Sequence, residues 1–197
     1  MKRRLFLSGP IGCGKSTLVR NALGGAAKNA GGFVTVRALD ETGALVGFDL
    51  LPACALACKD RQCPAFRFLS FSGADVRRSR GAFRTEAVRM LEKAAEKPFA
   101  VMDEFGGFEL LVPEFSAALT AFLRSGLPCV GVLKTPEATE ALHARVSLPS
   151  AYLARAAELR AALAADPDTE ILQTTGKDDQ NAKAALAAWV EEYAHGK

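Results

Sequence analysis

Nine residues near the start of the chain, Gly9-Pro10-Ile11-Gly12-Cys13-Gly14-Lys15-Ser16-Thr17, fit the pattern G-x-x-x-x-G-K-[ST]. That spacing suits a backbone that must wrap a phosphate. Glycines accept positive φ and let the chain approach an anion closely. Successive N–H groups then point into one concavity, and a helix N-terminus adds partial positive charge. In such a P-loop the lysine, Lys15, reaches the β- and γ-phosphates, and the Ser16 hydroxyl ligates Mg²⁺. The flanks agree. Arg4-Leu5-Phe6-Leu7-Ser8 reads as a short strand, and 16–23 as the first turns of a helix.

A second acidic signal lies downstream. The apolar run Phe99-Ala100-Val101-Met102 delivers Asp103-Glu104. A P-loop needs a carboxylate at the end of a neighbouring strand to hold the Mg²⁺ shell, and Asp103 fits. Glu104 is placed to orient or deprotonate a water attacking the γ-phosphate. A solvated strand end would show the same two acids. The pair favours hydrolysis over group transfer, because a kinase must keep water out.

Other residues carry weaker signals. Lys134 ends the apolar run 128–133. It reads either as a γ-phosphate sensor or, more commonly for such a residue, as a surface lysine. Arg77, Arg78, Arg80 and Arg84 could supply a charge-stabilising finger, or only a solvated loop and helix start; Arg37 is a further candidate. Cys54, Cys58 and Cys63 follow C-x3-C-x4-C, which lacks the close C-x2-C pairs of zinc sites. No His is near, and Asp60 would have to be the fourth ligand, so free thiols are expected. Cys13 contributes only backbone to its loop, with a thiol open to alkylation. His143 and His195 read as surface residues.

The elements that must position these groups alternate in type. Strands are expected at 33–39 and 44–51, joined by the turn Asp40-Glu41-Thr42-Gly43 as an antiparallel hairpin, and at 66–71. Gly24-Gly25 and Gly31-Gly32 read as turns before that hairpin, 52–64 as a loop, and 72–80 as a polar basic segment. Helices are expected at 81–97 and from Pro113, where Phe115, Ala118, Leu119, Phe122 and Leu123 share one face. Further helices follow at 137–144 and 149–165, then a strand at 170–174. A last helix is capped by Asp178 or Asp179. Alternation of this kind predicts an α/β fold, a mostly parallel sheet with helices on both faces and the hairpin as an antiparallel addition.

Composition sets bounds. The 197 residues suffice for one domain spanning 1–197. A net charge of +3 is too small to argue for nucleic acid or an anionic membrane. No apolar run approaches the length of a membrane span, and Leu5-Phe6-Leu7 is too short for a secretory signal. Five cysteines without a secretion signal point to reduced thiols and a cytoplasmic location. A monomer is the expected oligomeric state.

The chain resembles the small P-loop nucleoside-triphosphatases, a family that includes thermophilic archaeal and bacterial enzymes and the cancer-related nucleoside-triphosphatase. The likeness rests on Gly9 to Leu18, on Gly32-Phe33-Val34-Thr35-Val36-Arg37, on Gly47-Phe48-Asp49, and on Asp103-Glu104-Phe105-Gly106-Gly107-Phe108-Glu109-Leu110. The resemblance implies a RecA-like sheet and Mg²⁺-dependent hydrolysis of ATP, GTP and other nucleoside triphosphates to diphosphate and phosphate. It implies that Lys15, Ser16, Asp103 and Glu104 keep the roles above, and that Glu109 supports the water or the metal shell. The cysteine-bearing loop departs from the family pattern. So does Asn181-Ala182, where the family often has Asn-Arg. A P-loop nucleotide or small-molecule kinase, or a slow nucleotide-dependent switch, is the alternative.

Overall fold

Nearly every residue of Arg4–Ser8 (β1), Phe99–Phe105 (β6) and Cys129–Leu133 (β7) is buried. Strands that read as continuous apolar runs are covered on both faces, as in parallel α/β sheets. The computed structural model of the chain describes residues 1–58, 63–73 and 75–195. The remaining strands are Ala30–Leu39 (β2), Leu45–Pro52 (β3), Phe66–Ser72 (β4), Asp75–Arg78 (β5) and Thr169–Gln173 (β8). All eight form one sheet in the order β5-β4-β3-β2-β6-β7-β1-β8. From β2 to β8 neighbouring strands are parallel, whereas β2, β3, β4 and β5 pair antiparallel. The expected hairpin is therefore the start of an antiparallel extension in which β3, β4 and β5 add to the parallel core through β2.

The pleat sends alternate residues to opposite faces. Phe6, Ala100 and Met102 pack on one side with Val88–Ala94 (α2), Pro113–Arg124 (α3) and Ala151–Ala165 (α5). Leu5, Leu7 and Val101 pack on the other with Lys15–Leu23 (α1) and Gln180–Tyr193 (α6), where Trp189 is fully buried. Helix Pro136–Val146 (α4) follows β7, with Thr135 as its cap. Of the two candidate caps for α6, Asp179 serves: its Oδ1 accepts from the Ala182 N–H at 3.0 Å.

Three details differ from the sequence reading. The basic segment at 72–80 contains β5, an edge strand with little apolar content to announce it. The helix expected from 81 opens as π-helical turns over Ala82–Ala87 before α2. Gly31-Gly32, read as a turn, lies inside β2. The reason is close approach: a Cβ on Gly31 would sit 2.6 Å from the Ala94 Cα of α2. Glycine there serves helix-on-strand packing, a role that sequence alone does not separate from a turn. Gly31→Ala is expected to lose about 1–3 kcal/mol through overpacking. Gly25→Ala, with no atom within 4 Å of the new methyl, should be near neutral. Urea unfolding of both variants checks this, and equal stabilities would refute the packing role.

Candidate active site

The loop between β1 and α1 turns through Gly12 at φ 76° and Gly14 at φ 99°, values that glycine adopts without strain. Gly14 precedes α1 with no side chain accepting from the first turn. The N–H groups of that turn thus have no side-chain acceptor, as an anion site at a helix start needs. Lys15 is buried although charged, and its Nζ donates to the carbonyls of Gly9 at 2.9 Å and Pro10 at 2.7 Å. The amine is satisfied by its own loop. On the far side the loop leans on the segment after β8, where the Lys177 N–H donates to the Cys13 carbonyl at 2.9 Å.

Asp103 comes to the loop from β6, two places away in the sheet. Its Oδ1 accepts from Ser16 Oγ at 2.9 Å. Burial raises the Asp103 carboxyl to about 7, against the Ser16 hydrogen bond, which lowers it; nearby Glu104 raises it, and Lys15 and Lys134 lower it. A hydroxyl and a carboxylate side by side are hard oxygen donors, and Mg²⁺ is held by one or two such groups plus waters and phosphate oxygens. The pair therefore fits Mg²⁺. Among the described residues no group of three His, Cys, Asp or Glu side chains is arranged to hold a metal by itself.

Glu104 follows across a cis peptide bond. Its N–H donates to Thr35 Oγ1 of β2 at 3.2 Å, and its Oε2 accepts from Lys134 Nζ at 2.9 Å. Lys134 is thus brought to the site, contrary to the surface reading. Its side chain is 17% exposed, and the Arg160 guanidinium of α5 bridges the Lys134 carbonyl at 3.2 Å to Ser8 Oγ at 3.1 Å. Glu109 is buried, and its Oε1 accepts from the N–H groups of Gly106 at 2.7 Å and Gly107 at 2.6 Å. Its carboxyl is pushed up by burial and held back by the Gly107 hydrogen bond. That geometry makes it a brace for the turn after the acidic pair. Tyr152 adds a second brace, its hydroxyl donating to the Gly106 carbonyl at 3.0 Å.

These groups open on one cleft of about 620 Å³. Lys15, Ser16, Glu104, Glu109 and Lys134 line it, together with Thr35, Arg37 and Arg145. Of the arginines proposed from sequence, Arg37 lines the cleft. Arg77 and Arg78 lie on edge strand β5, and Arg84 pairs with Glu114 at 3.2 Å. Arg145 and Arg160 gave no sequence signal: each is one basic residue on an otherwise ordinary helix. Thr35 did have one, within the Gly32–Arg37 segment. Cys58 and Cys63 bring their sulfurs to 3.5 Å, and Cys54 accepts from Cys58 through its carbonyl; Asp60 lies outside the described residues. His195 is exposed and His143 half-buried. Ala182, where the family often has arginine, is fully buried in the first turn of α6.

The raised Asp103 carboxyl has a consequence for the metal-free chain. Unfolded, this group titrates near its ordinary value of 3.8; folded, near 7. Between those values the folded state binds the extra proton, so stability falls as pH rises through the window. Asp103→Asn removes that loss. With chelator present, its melting temperature relative to the parent chain is expected to rise from about pH 5 to about pH 8. A gap that does not change with pH would contradict this.

A sequence model of the family described as NTPase matches residues 4–148, more than half of the chain. No curated protein sequence matches the chain. Among solved structures, the crystal structure of THEP1 from the hyperthermophile Aquifex aeolicus superposes with a TM-score of 0.50 at 20% identity, over 75% of this chain and 86% of that one. At that identity the likeness is one of fold.

Proposed function

Because the chain belongs to the NTPase family, we propose that it hydrolyses nucleoside triphosphates to the diphosphate and phosphate, with Mg²⁺ held by Ser16 and Asp103. The observation that carries this reading is the convergence on one cleft of Lys15, the Ser16–Asp103 pair and the Glu104–Lys134 pair. Gly9 to Thr17 supply backbone N–H groups to the phosphates. Lys15 exchanges the Gly9 and Pro10 carbonyls for β- and γ-phosphate oxygens. Bound Mg²⁺ would neutralise charge on those oxygens.

Glu104 orients a water towards the γ-phosphorus and accepts its proton. The water oxygen bonds to phosphorus, the bond to the β–γ bridging oxygen breaks, and the diphosphate leaves with that oxygen. Lys134 fixes the Glu104 carboxylate before substrate arrives, and its ammonium would offset charge on the γ-phosphate. Thr35 and Arg160 act behind them, one on the Glu104 backbone and the other on the Lys134 backbone.

The direct test is phosphate release from ATP, GTP, CTP and UTP with Mg²⁺ and no acceptor. Steady release is expected from several bases. Glu104→Gln should keep Mg·ATP binding and lose roughly 10²–10⁴ in turnover. Turnover like that of the parent chain would refute the water-orienting role. Lys134→Ala should lower kcat by roughly a hundredfold, since it removes a fixed charge beside the transferred group. A change in KM alone would make Lys134 a ground-state contact. Lys15→Ala should weaken triphosphate binding itself, and unchanged affinity in calorimetry would count against the P-loop assignment.

A further inference from the structure

The cleft is larger than a phosphate tail requires. Beyond Glu104 and Lys134 it continues over the antiparallel extension, where Phe48 of β3 and Phe71 of β4 are half-buried with their rings partly open. Their centroids stand 6.1 Å apart in an edge-to-face arrangement, and Phe68 closes the floor 6.3 Å from Phe48. Leu142 and Val146 of α4 form the opposite wall. At about 620 Å³ the whole cleft falls within the roughly 300–1,000 Å³ of ordinary small-molecule sites.

Charge in this compartment is one-sided. Glu104 is committed to Lys134, and Glu109 to the amides of Gly106 and Gly107. Arg37 and Arg145 make no ion pair among the described residues. Arg145 instead lies over the Phe71 ring, with Cζ 4.6 Å from the centroid. A guanidinium stacked on an aromatic face, beside open rings, suits a planar base that carries a phosphate. The compartment also lies at the wrong end for the substrate's own base. Glu104 and Lys134 mark the γ end of the triphosphate, so its nucleoside trails away from them.

We propose that this compartment is a second ligand site, which takes a nucleoside monophosphate beside the γ-phosphate. Its base packs against Phe48 and Phe71, and its phosphate pairs with Arg37 and Arg145. The proposal rests on the reading that a triphosphate occupies the P-loop. A molecule seated there would also cover the Glu104 face of the cleft, and so govern how water reaches the γ-phosphate.

The test is calorimetric titration of AMP into the full chain, first saturated with Mg²⁺ and β,γ-imido-ATP. Binding of the analogue is measured beforehand, so its failure would sink the P-loop reading separately. AMP is expected to bind with the analogue in place. Adenosine and ribose 5-phosphate should each bind at least about tenfold more weakly, since each lacks one half of the recognition. Phe71→Ala and Arg145→Gln should each weaken AMP by about tenfold and leave KM for ATP within about twofold. Arg145 is exposed, so its variant carries the test alone if Phe71→Ala does not fold. The proposal is overturned if AMP does not bind, if it displaces the analogue, if both variants bind it as the parent does, or if the variants raise KM for ATP in step with the loss of AMP.

Discussion

One hydrogen bond ties the two halves of the site together, from Ser16 Oγ on α1 to Asp103 Oδ1 on β6 at 2.9 Å. The strands that carry them are not neighbours, since β7 lies between β1 and β6. Reaching across a strand requires that all three end at one level and that nothing bulky intervene. Gly131 in the middle of β7 shows how tight the sheet is here: a Cβ on it would fall 1.9 Å from the Met102 carbonyl. The parallel register of β6 on β7 and of β7 on β1 then sets the height of the acidic pair above the P-loop. Ligand sites of open α/β sheets lie at the carboxyl ends of their strands. This cleft follows that rule.

Charge inside such a site must be answered locally, because burial penalises any ion left alone. Each buried ion here has its answer. The Lys15 ammonium takes two carbonyls of its own loop, Asp103 takes a hydroxyl, and Glu109 takes two backbone amides. Among the described residues no buried side-chain nitrogen or oxygen lacks a partner. The partners differ in kind, and that difference matters for chemistry. Those of Lys15 are carbonyls of the glycine loop, which on the proposed reading give way to phosphate oxygens. Those of Glu109 belong to the turn that sets the backbone after Glu104, so its carboxylate is spent on shape.

The parallel core was legible because its strands and helices announce themselves by period. The P-loop, the β6 acids, the α3 stripe and the Asp179 cap all stand where local pattern puts them. What escaped was decided by neighbours distant in sequence. Gly31 looks like a turn residue until Ala94 of α2 is seen against it. β5 carries three polar residues of four and is held by its pairing with β4. Lys134 reads as a surface lysine because a single basic residue at a strand end carries no period. Only the return of Glu104 at 2.9 Å, with Arg160 gripping the backbone behind it, makes it part of the site. The arginines show the converse. Clustering drew attention to 77–84, yet Arg77 and Arg78 sit on the edge strand and Arg84 pairs with Glu114 of α3, while isolated Arg37 and Arg145 line the cleft.

The cleft therefore has two walls under different constraints. The wall made by the glycine loop and Glu104, with Asp103 behind Ser16, is set by backbone geometry, through glycine φ values and strand ends at fixed heights. Few sequences satisfy that, and the family match over 4–148 contains all of it. The other end of the cleft is built from side chains, with Phe48 and Phe71 on the antiparallel strands and Leu142 and Val146 on α4, all within or packed against the core cluster that holds Phe6 and Met102. α5 lies outside the matched span, yet its Arg160 braces the first wall at both Ser8 and Lys134. The division of labour is physical. On the proposed reading, the glycine loop and strand ends shape the phosphate end of the cleft, and side chains of β3, β4 and α4 shape the other.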